Sequence, residues 1–309
     1  MKTFIARIEA GLGNQMFQYA HVRALQLKFG GRIIFDVGSF VPEQNRRFGL
    51  KNFRLCQDIA WKPSLVERML CRMLRMWQGV LYGLEYRRKD SSVLPYVRLG
   101  FYHQPLFRYI STAYKPVWPY SYVRGNFLSE KFFKEYREQI IEDFTIETPM
   151  PAKVQALAER IRSVNAVCIH IRLGDYLAPE WRDKLYICGK EYYQKAIERI
   201  KSETESPVFF VFSNTHKDFE MIRNDFGLDS QTIYVDEGNA DYEDMWLMSQ
   251  CRHFIMSNST YSWWAQYLGK AEDKIVIAPS KFNKYPRWDM TDIYQDNWEL
   301  IDAGIGKDR

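Results

Sequence analysis

The second half of the chain alternates short apolar runs with longer stretches of helical spacing, and this alternation constrains the fold most. The apolar runs occupy 166–172, 208–212, 232–235, 253–256 and 274–278. The helical stretches between them lie near 190–201, 216–226, 241–251 and 261–269. Short apolar strands that alternate with helices are typical of a parallel, doubly wound sheet. We therefore predict an α/β fold for this half.

The first residues repeat this pattern. Residues 3–8 and 32–36 predict two strands, and the glycine turn between them leads into apolar residues at helical spacing. A chain of 309 residues is long enough for two domains. Pro149 and Pro151 stop a helix and indicate a short, stiff linker. We predict an N-terminal domain over 1–150 and a C-terminal domain over 151–309.

The middle of the chain is less regular but contains two helical patterns. One helix is predicted over 129–144, and an amphipathic helix is predicted over 64–81. The second has Leu65, Met69, Met73 and Trp77 on one face and Arg68, Arg72 and Arg75 largely on the other. Its apolar face either packs into the N-terminal domain or docks peripherally on a membrane surface.

Charge and cysteine content exclude several classes of protein. The net charge is 43 − 38 = +5, which suits an anionic ligand but falls short of a nucleic-acid-binding surface. The five cysteines include no C-x-x-C pair, which argues against a disulfide framework or a cysteine zinc site. Arg7 and Glu9 interrupt the first apolar stretch, and no run reaches the roughly 18 apolar residues of a membrane span. We expect a cytoplasmic protein.

The first candidate site is the turn Gly11-Leu12-Gly13-Asn14-Gln15. Glycines before a helix let backbone N–H groups approach a phosphate, whose charge the helix N-terminus favours. The turn could instead simply require positive φ. A dinucleotide-binding turn is a third interpretation, with Asp36 as the ribose-binding acid, although Met16 stands where that motif has its third glycine or alanine.

The second candidate site is His170-Ile171-Arg172-Leu173-Gly174-Asp175-Tyr176, at the end of a predicted strand. The Arg172 guanidinium can bind two phosphate oxygens and neutralise a departing pyrophosphate. Asp175 could orient Arg172 or act as a base. The alternative is a structural Arg–Asp pair beside a core histidine.

The third candidate site is the run from Ser257 to Trp264. Its Ser, Asn and Thr residues are natural helix N-caps, but four in a row also suit a second anion-binding loop. Trp263 and Trp264 either pack a helix against the sheet or form a sugar platform. Asp244 could cap the preceding helix or accept hydrogen bonds from a nucleobase. The chain has no Asp-x-Asp pair and no metal-ligand spacing, so we expect no metal cofactor.

Taken in order, the segments GLGNQMFQYA, HIRLGDY and DMWLMSQCRHFIMSNSTYSWW resemble family 11 of the glycosyltransferases, the α-1,2-fucosyltransferases. The resemblance extends from Gly11 to about Asn297. It implies a GT-B fold, in which two Rossmann-like doubly wound domains face a cleft and the C-terminal domain binds the sugar nucleotide. It also implies metal-independent, inverting transfer of L-fucose from GDP-β-L-fucose to the 2-hydroxyl of a galactoside.

The resemblance also implies roles for individual residues. Arg172 corresponds to the arginine that binds the donor pyrophosphate. The other implied donor-binding residues are His170 and Asp244 near guanine, Ser213 and Asn214 near ribose, Asn258, Ser259, Thr260 and Ser262 in a hydroxyl loop by the phosphates, and Gly11, Gly13 and Asn14 near the phosphate and reaction centre. Arg172, Asn14 and Asp175 are the candidate catalytic residues, with Glu180 as a second candidate base.

The sequence departs from the family pattern in two segments. Leu173 stands where the family has a second arginine, so leaving-group stabilisation rests more heavily on Arg172. The family's F-S-D-D stretch is Phe212-Ser213-Asn214-Thr215 here. A non-catalytic nucleotide- or glycan-binding relative, transfer with another linkage, and a dinucleotide-dependent dehydrogenase remain as alternatives.

The resemblance also implies partners and a location. They are GDP-fucose, a galactose-containing glycan that could be carried on a lipid, and the cytoplasm, with peripheral contact at the inner face of the plasma membrane if 64–81 docks there. No nucleic-acid partner is expected. Aromatic residues make up 16% of the chain, and those between Tyr96 and Tyr122 belong to no motif. We expect the acceptor sugar there.

Overall fold

A computed structural model describes residues 1–38, 40, 47–61, 63–87, 100–103, 107–109, 118–228, 231–286 and 288–303. For 78, 81–87, 101–103, 175 and 182 it describes the backbone only. The chain forms two units. The first comprises Met1–Glu147 and Asp289–Ile293, and the second comprises Thr148–Trp288 and Tyr294–Arg309. The predicted division at residue 150 did not include the return of Asp289–Ile293 to the first unit.

The first unit contains a parallel sheet of four strands in the order β2-β1-β4-β3. The strands are β1 (Thr3–Arg7), β2 (Arg32–Asp36), β3 (Phe101–His103) and β4 (Tyr120–Arg124). Its α-helices in the described residues are α1 (Leu12–Phe29), α2 (Leu65–Arg87) and α3 (Arg137–Asp143). The predicted helix 129–144 therefore starts late, because two 3-10 turns, Glu130–Phe132 and Lys134–Tyr136, precede α3.

The second unit contains a parallel sheet of six strands in the order β10-β9-β8-β5-β6-β7. The strands are β5 (Ala166–His170), β6 (Val208–Phe212), β7 (Ile233–Tyr234), β8 (His253–Ile255), β9 (Val276–Pro279) and β10 (Glu299–Ile301). The helices are α4 (Ala152–Arg162), α5 (Pro179–Arg182), α6 (Lys190–Glu203), α7 (His216–Asp225), α8 (Asp241–Ser249) and α9 (Thr260–Leu268).

The strand order places a topological switch point in each sheet. In the second unit the chain builds outward from β5 to β7, then returns to lay β8 directly beside β5. In the first unit β4 likewise lies beside β1, opposite β2. Ligands of open α/β sheets bind where the connections diverge in this way, outside the carboxyl ends of the strands. The fold therefore directs attention to the ends of β5 and β8, and of β1 and β4.

Candidate functional site

A buried hydrogen bond joins the residues at the ends of β5 and β8, at the switch point of the second unit. The His170 Nδ1 atom lies 2.8 Å from the Ser257 hydroxyl, and the Tyr193 hydroxyl donates to the His170 carbonyl at 3.1 Å. Burial and the neighbouring Arg172 guanidinium lower the pKa of His170 to about 3. The ring is therefore neutral at physiological pH and offers hydrogen bonds without adding charge.

Arg172 lies two residues beyond the end of β5, so the predicted strand 166–172 is shorter than expected. Its guanidinium carbon is 5.5 Å from the centre of the Tyr176 ring, and the side chain is partly exposed. A cation held against an aromatic ring at a sheet switch point is well placed to meet an anion. Asp175 lies in the following turn, Gly174–Leu177, and its side chain is outside the described residues.

Hydrogen bonds to the end of β6 and to α7 hold the segment that follows β5. The Ser213 hydroxyl donates to the Ile171 carbonyl at 2.9 Å, and the Gly174 N–H donates to Asp218 Oδ1 at 3.3 Å. Leu173 is buried in the hydrophobic core, which explains an apolar residue there. Ser213 thus has a fastening bond, while its predicted contact with ribose stays a prediction. The neighbouring Asn214 is exposed.

Asp218 is a residue that the sequence analysis missed. It is buried, and its Oδ2 atom has no hydrogen-bond partner among the described residues. Its backbone N–H donates to the hydroxyl of Thr215, the N-cap of α7, at 3.2 Å. The signal available in the sequence was only an acid three residues after a threonine, which is ordinary for the start of a helix. Its contact with Gly174 arises from β6 lying beside β5, which no local pattern reveals.

The polar side chains of the loop after β8 form hydrogen bonds within the protein. Asn258 Nδ2 donates to the carbonyls of Tyr186 at 2.9 Å and Phe282 at 3.1 Å. Ser259 is the N-cap of α9, and Ser262 donates back to the Ser259 carbonyl at 3.0 Å. These bonds give Asn258, Ser259 and Ser262 a fastening role, and their predicted contacts with a donor stay predictions. Thr260, the first residue of α9, is partly exposed.

An unusual carboxyl group lies on the helix before this loop. Asn239 Nδ2 donates to Asp244 Oδ1 at 2.8 Å. Burial raises the pKa of Asp244 to about 7. Glu243, not Asp244, accepts the hydrogen bond from the backbone N–H of Ala240 at the start of α8, at 2.8 Å. Asp244 is therefore not needed to cap α8 through this bond, and its carboxyl group is available for another role.

Tyr261 joins this carboxyl group to the switch point. Its ring centre lies 5.5 Å from that of His170, and its hydroxyl donates to the Asp241 carbonyl. The charge of Asp244 raises the pKa of Tyr261 beyond the effect of burial, while Arg172 opposes it. The structure thus brings together three of the predicted residues, His170, Arg172 and Asp244, around one tyrosine.

Trp263 and Trp264 pack in the core, as the packing alternative predicted. Both are fully buried, and the Trp263 ring stacks on Tyr267 with centroids 4.6 Å apart. They are not a sugar platform.

In the first unit, the glycine turn begins α1. Gly11 is the N-cap with φ −74°, and the positive φ falls on Ala10, at 71°. The turn does contain a positive φ, but it falls on Ala10, so the turn does not need glycine at position 11 for it. A Cβ atom built on Gly11 meets no described atom within 4 Å, so protein contacts do not require glycine there. Gly13 lies in the first turn of α1, and Asn14 is partly exposed.

Three charged residues that sequence reasoning missed lie at the switch point of the first unit. Arg7 ends β1 and donates to Glu9 Oε2 at 2.6 Å, and Arg124 ends β4 with its Nε atom 3.5 Å from Glu9 Oε1. Charged residues at the ends of adjacent parallel strands were the available signal, but only the strand order shows that β1 and β4 are neighbours.

Asp36 does not have the role that a dinucleotide site would require. It is buried, and its Oδ2 atom accepts hydrogen bonds from Arg75 at 2.9 Å and from the Tyr122 hydroxyl at 2.7 Å. Tyr122, one of the rings expected near an acceptor, is thus a core residue. Of the other positions in that segment, 96–99, 104–106 and 110–117 lie outside the described residues. Among the described residues, no group of three or more His, Cys, Asp or Glu side chains could hold a metal ion.

Comparison with known proteins identifies the family. The model of glycosyl transferase family 11 matches residues 108–302, more than half of the chain. The chain belongs to glycosyl transferase family 11. The dehydrogenase interpretation is therefore wrong.

Relatives of this family member extend the match to nearly the whole chain. It is 28% identical to an α-1,2-colitosyltransferase of Escherichia coli, over 98% of this chain and 100% of the relative. It is 28% identical to the O-antigen biosynthesis glycosyltransferase WbnK of Escherichia coli, over 89% of this chain and 93% of the relative. It is also 28% identical to galactoside α-(1,2)-fucosyltransferase 2 of Mus musculus, over 86% of this chain and 68% of the relative.

A solved structure shows the fold class. The crystal structure of fucosyltransferase NodZ from Bradyrhizobium matches with a TM-score of 0.51 and 16% identity, over 86% of this chain and 92% of the other. The fold is α/β of the GT-B type, with a parallel Rossmann-like sheet in each unit. The cleft that the resemblance implied stays a prediction.

Proposed function

We propose that this family 11 glycosyltransferase transfers L-fucose from GDP-β-L-fucose to the 2-hydroxyl of a galactoside, with inversion and without a metal ion. The observation that carries the proposal is the arrangement at the β5–β8 switch point, where the neutral His170 ring lies 5.5 Å from the Tyr261 ring and the charges of Arg172 and Asp244 both act on Tyr261. In this set Arg172 is a cation that can bind a diphosphate, and His170 and Asp244 are hydrogen-bonding groups that can bind a nucleobase.

In this proposal Arg172 binds the pyrophosphate and stabilises the charge that develops as GDP leaves. The backbone N–H groups at the start of α9, with Thr260, bind a phosphate in the same way. His170 and Asp244 bind guanine, whose ring N–H and amino groups are donors that match an ionised carboxylate. Ser213 and Asn214 are assigned to ribose, and Ser259, Asn258 and Ser262 keep the hydroxyl loop in place.

The first unit is proposed as the acceptor side. Its switch point has Glu9 between Arg7 and Arg124, a polar set that can bind sugar hydroxyls. Gly11, Gly13 and Asn14 are assigned to the reaction centre. Transfer proceeds through a transition state of oxocarbenium character, with the acceptor hydroxyl attacking from the face opposite GDP. Asp175 and Glu180 are the proposed bases for the acceptor proton.

Colitosyl transfer is a second candidate because a relative that matches this chain along almost its full length is named a colitosyltransferase. Colitose is fucose without its 3-hydroxyl group. The two donors therefore differ by one hydrogen-bonding group, and a site that binds the 3-hydroxyl discriminates against the deoxy sugar. The acceptor proposed for either donor is a glycan that ends in galactose. The name of WbnK, an O-antigen enzyme, supports a lipid-linked form.

The test measures GDP release with EDTA present, using GDP-fucose or GDP-colitose and either a β-galactoside or its 2-deoxy analogue. We expect release with GDP-fucose and the β-galactoside, and none with the 2-deoxy acceptor. Faster release of GDP from GDP-colitose than from GDP-fucose would identify GDP-colitose as the donor. If the protein binds GDP but releases no GDP from either sugar nucleotide, the non-catalytic alternative would be established instead.

A further inference from the structure

Helix α2 carries a continuous apolar face that the fold leaves exposed. Seven large apolar side chains on it are between 46% and 74% exposed: Leu65, Val66, Met69, Met73, Met76, Trp77 and Val80. At about 100° per residue these seven positions fill a single arc of about 120° on the helix surface. We call them the apolar face of α2. Soluble proteins rarely expose a contiguous apolar patch of this kind without a partner.

The opposite face of the same helix is the one that packs. Cys71 belongs to a buried cluster with Ile5, Ile34 and Tyr122, against which Leu70 and Leu74 also pack. The apolar stripe, for which packing into the domain was one of two alternatives, is thus exposed, while the helix is anchored by a different set of residues. The apolar face is therefore not needed to hold α2 on its sheet.

The helix is also held firmly at its start and along its length. Ser64 and Glu67 form a capping box, in which the Ser64 N–H donates to Glu67 Oε2 at 2.7 Å and the Glu67 N–H donates to Ser64 Oγ at 3.3 Å. Arg75 pairs with the buried Asp36, and Arg32 pairs with Glu67. The apolar face is consequently presented by an ordered helix rather than by a frayed segment.

Charge favours one kind of partner. Arg68 and Arg72 are exposed and follow the apolar arc at one edge. The acidic residue of this stretch, Glu67, is instead buried on the packed side against Arg32. An apolar face with arginines along its edge matches an interface that is apolar inside and anionic at its surface. A second copy packed antiparallel on this face would bring arginines toward arginines at the rim, with no exposed carboxylate from 64–80 to compensate.

We propose that α2 lies in the plane of an anionic phospholipid surface, with its apolar face in the acyl–headgroup boundary and Arg68 and Arg72 against lipid phosphates. Its 23 residues correspond to about 35 Å, long enough for several turns to lie flat. No helix among the described residues is long and apolar enough to cross a membrane. The proposal goes beyond the transfer reaction and does not depend on it.

The test is flotation of the purified full chain with vesicles of phosphatidylcholine alone or with about one third phosphatidylglycerol. We expect binding to the anionic vesicles that weakens with added salt. The double variant Met69→Gln/Met76→Gln should weaken it at least tenfold. The double variant Arg68→Gln/Arg72→Gln should remove the preference for anionic lipid. Leu300→Gln, which changes an apolar residue 47% exposed in the second unit, is the matched control and should bind as the wild type does.

Three further measurements keep the test decisive: circular dichroism, transfer activity and light scattering. Circular dichroism and transfer to a soluble galactoside should be unchanged in all the variants, because the substituted residues are exposed and lie outside the proposed reaction site. Equal vesicle binding by wild type and Met69→Gln/Met76→Gln would overturn the proposal. A second result would also overturn it: the wild type is a dimer in light scattering and does not bind vesicles, whereas Met69→Gln/Met76→Gln is a monomer. That result would assign the apolar face to a second copy of the chain. Vesicle binding does not require turnover, so this test can fail without affecting the proposed reaction.

Discussion

At the residue scale, the chemistry proposed for the second unit depends on one cation beside a histidine that burial keeps neutral. The pKa of His170 lies near 3 because the ring is buried and Arg172 is close, so the pair carries a single positive charge. Sequence alone identified both residues. It could not show that Ser257 holds the ring or that Leu173 turns into the core, because these contacts come from strands that are distant along the chain.

Arg172→Ala should lower kcat at least a hundredfold, because removing a donor that stabilises developing charge typically costs 10²–10³-fold. The thermal midpoint should stay close to that of the wild type, since Arg172 lies outside the buried core. Arg172→Lys, which keeps the charge but loses the fork, should retain intermediate activity. Steady-state transfer rates at saturating GDP-fucose measure the effect, and wild-type turnover by Arg172→Ala would refute the assignment.

The raised pKa of Asp244 predicts a pH dependence of GDP binding. The carboxyl group is mostly protonated at pH 6 and ionised at pH 8, because its pKa is about 7. If guanine binds the ionised form, the Kd for GDP should fall by about tenfold across this range. Titration calorimetry at both pH values measures it. In Asp244→Asn the Kd for GDP should keep only the pH dependence that comes from ionisation of the GDP phosphate. A pH profile equal to that of the wild type would contradict binding of guanine by the Asp244 carboxylate.

Gly11→Ala separates a ligand-driven glycine from a structural one. Its backbone angles suit any residue and its surroundings are open, so the fold should lose no more than about 1 kcal/mol. A methyl group in the path of a substrate should nevertheless lower kcat/KM by an order of magnitude or more. Gly79→Ala, at another open position, is the control and should leave kcat/KM unchanged. Equal kcat/KM values for Gly11→Ala and wild type would remove Gly11 from the site.

At the scale of elements, periodicity predicted most helices and strands correctly but not which surface each one faces. The spacing of Leu65, Met69 and Met73 correctly predicted that they share a face of α2, yet an apolar stripe does not say whether protein or solvent meets it. The predicted strand 166–172 was too long because Ile171 and Leu173 continue the apolar alternation inside the core after the strand pairing ends. The loop after β8 looked like a ligand loop, but its polar side chains also form hydrogen bonds within the loop and with Tyr186 and Phe282.

Asn258→Ala tests the fastening of that loop. Removing the amide leaves the buried carbonyls of Tyr186 and Phe282 without their donor, which should lower the free energy of unfolding by about 1–3 kcal/mol. Urea denaturation measures this loss. Asn214→Ala, at an exposed position on the neighbouring β6 end, is the control and should change stability by less than about 0.5 kcal/mol. No loss of stability in Asn258→Ala would contradict the fastening role.

At the scale of the molecule, alternating strands and helices were enough to predict two α/β units. Residues 289–293 escaped that prediction, because their membership in the first unit depends on contacts far along the chain. Asp292 accepts hydrogen bonds from Lys131 at 2.6 Å and from the Tyr109 N–H at 2.7 Å, and Arg108 pairs with Asp289 at 2.8 Å. The strand order, and with it the two switch points, also had to come from the structure.

The proposed reaction makes an α-fucosidic bond to O2 of galactose. The most direct measurement is the linkage and anomeric configuration of the product, determined by NMR after incubation with GDP-β-L-fucose and a β-galactoside in EDTA. We expect a single α-L-fucosyl residue on O2 of galactose, and none with Arg172→Ala. A β-fucoside, attachment at another oxygen, or no fucosylated product at all would contradict it.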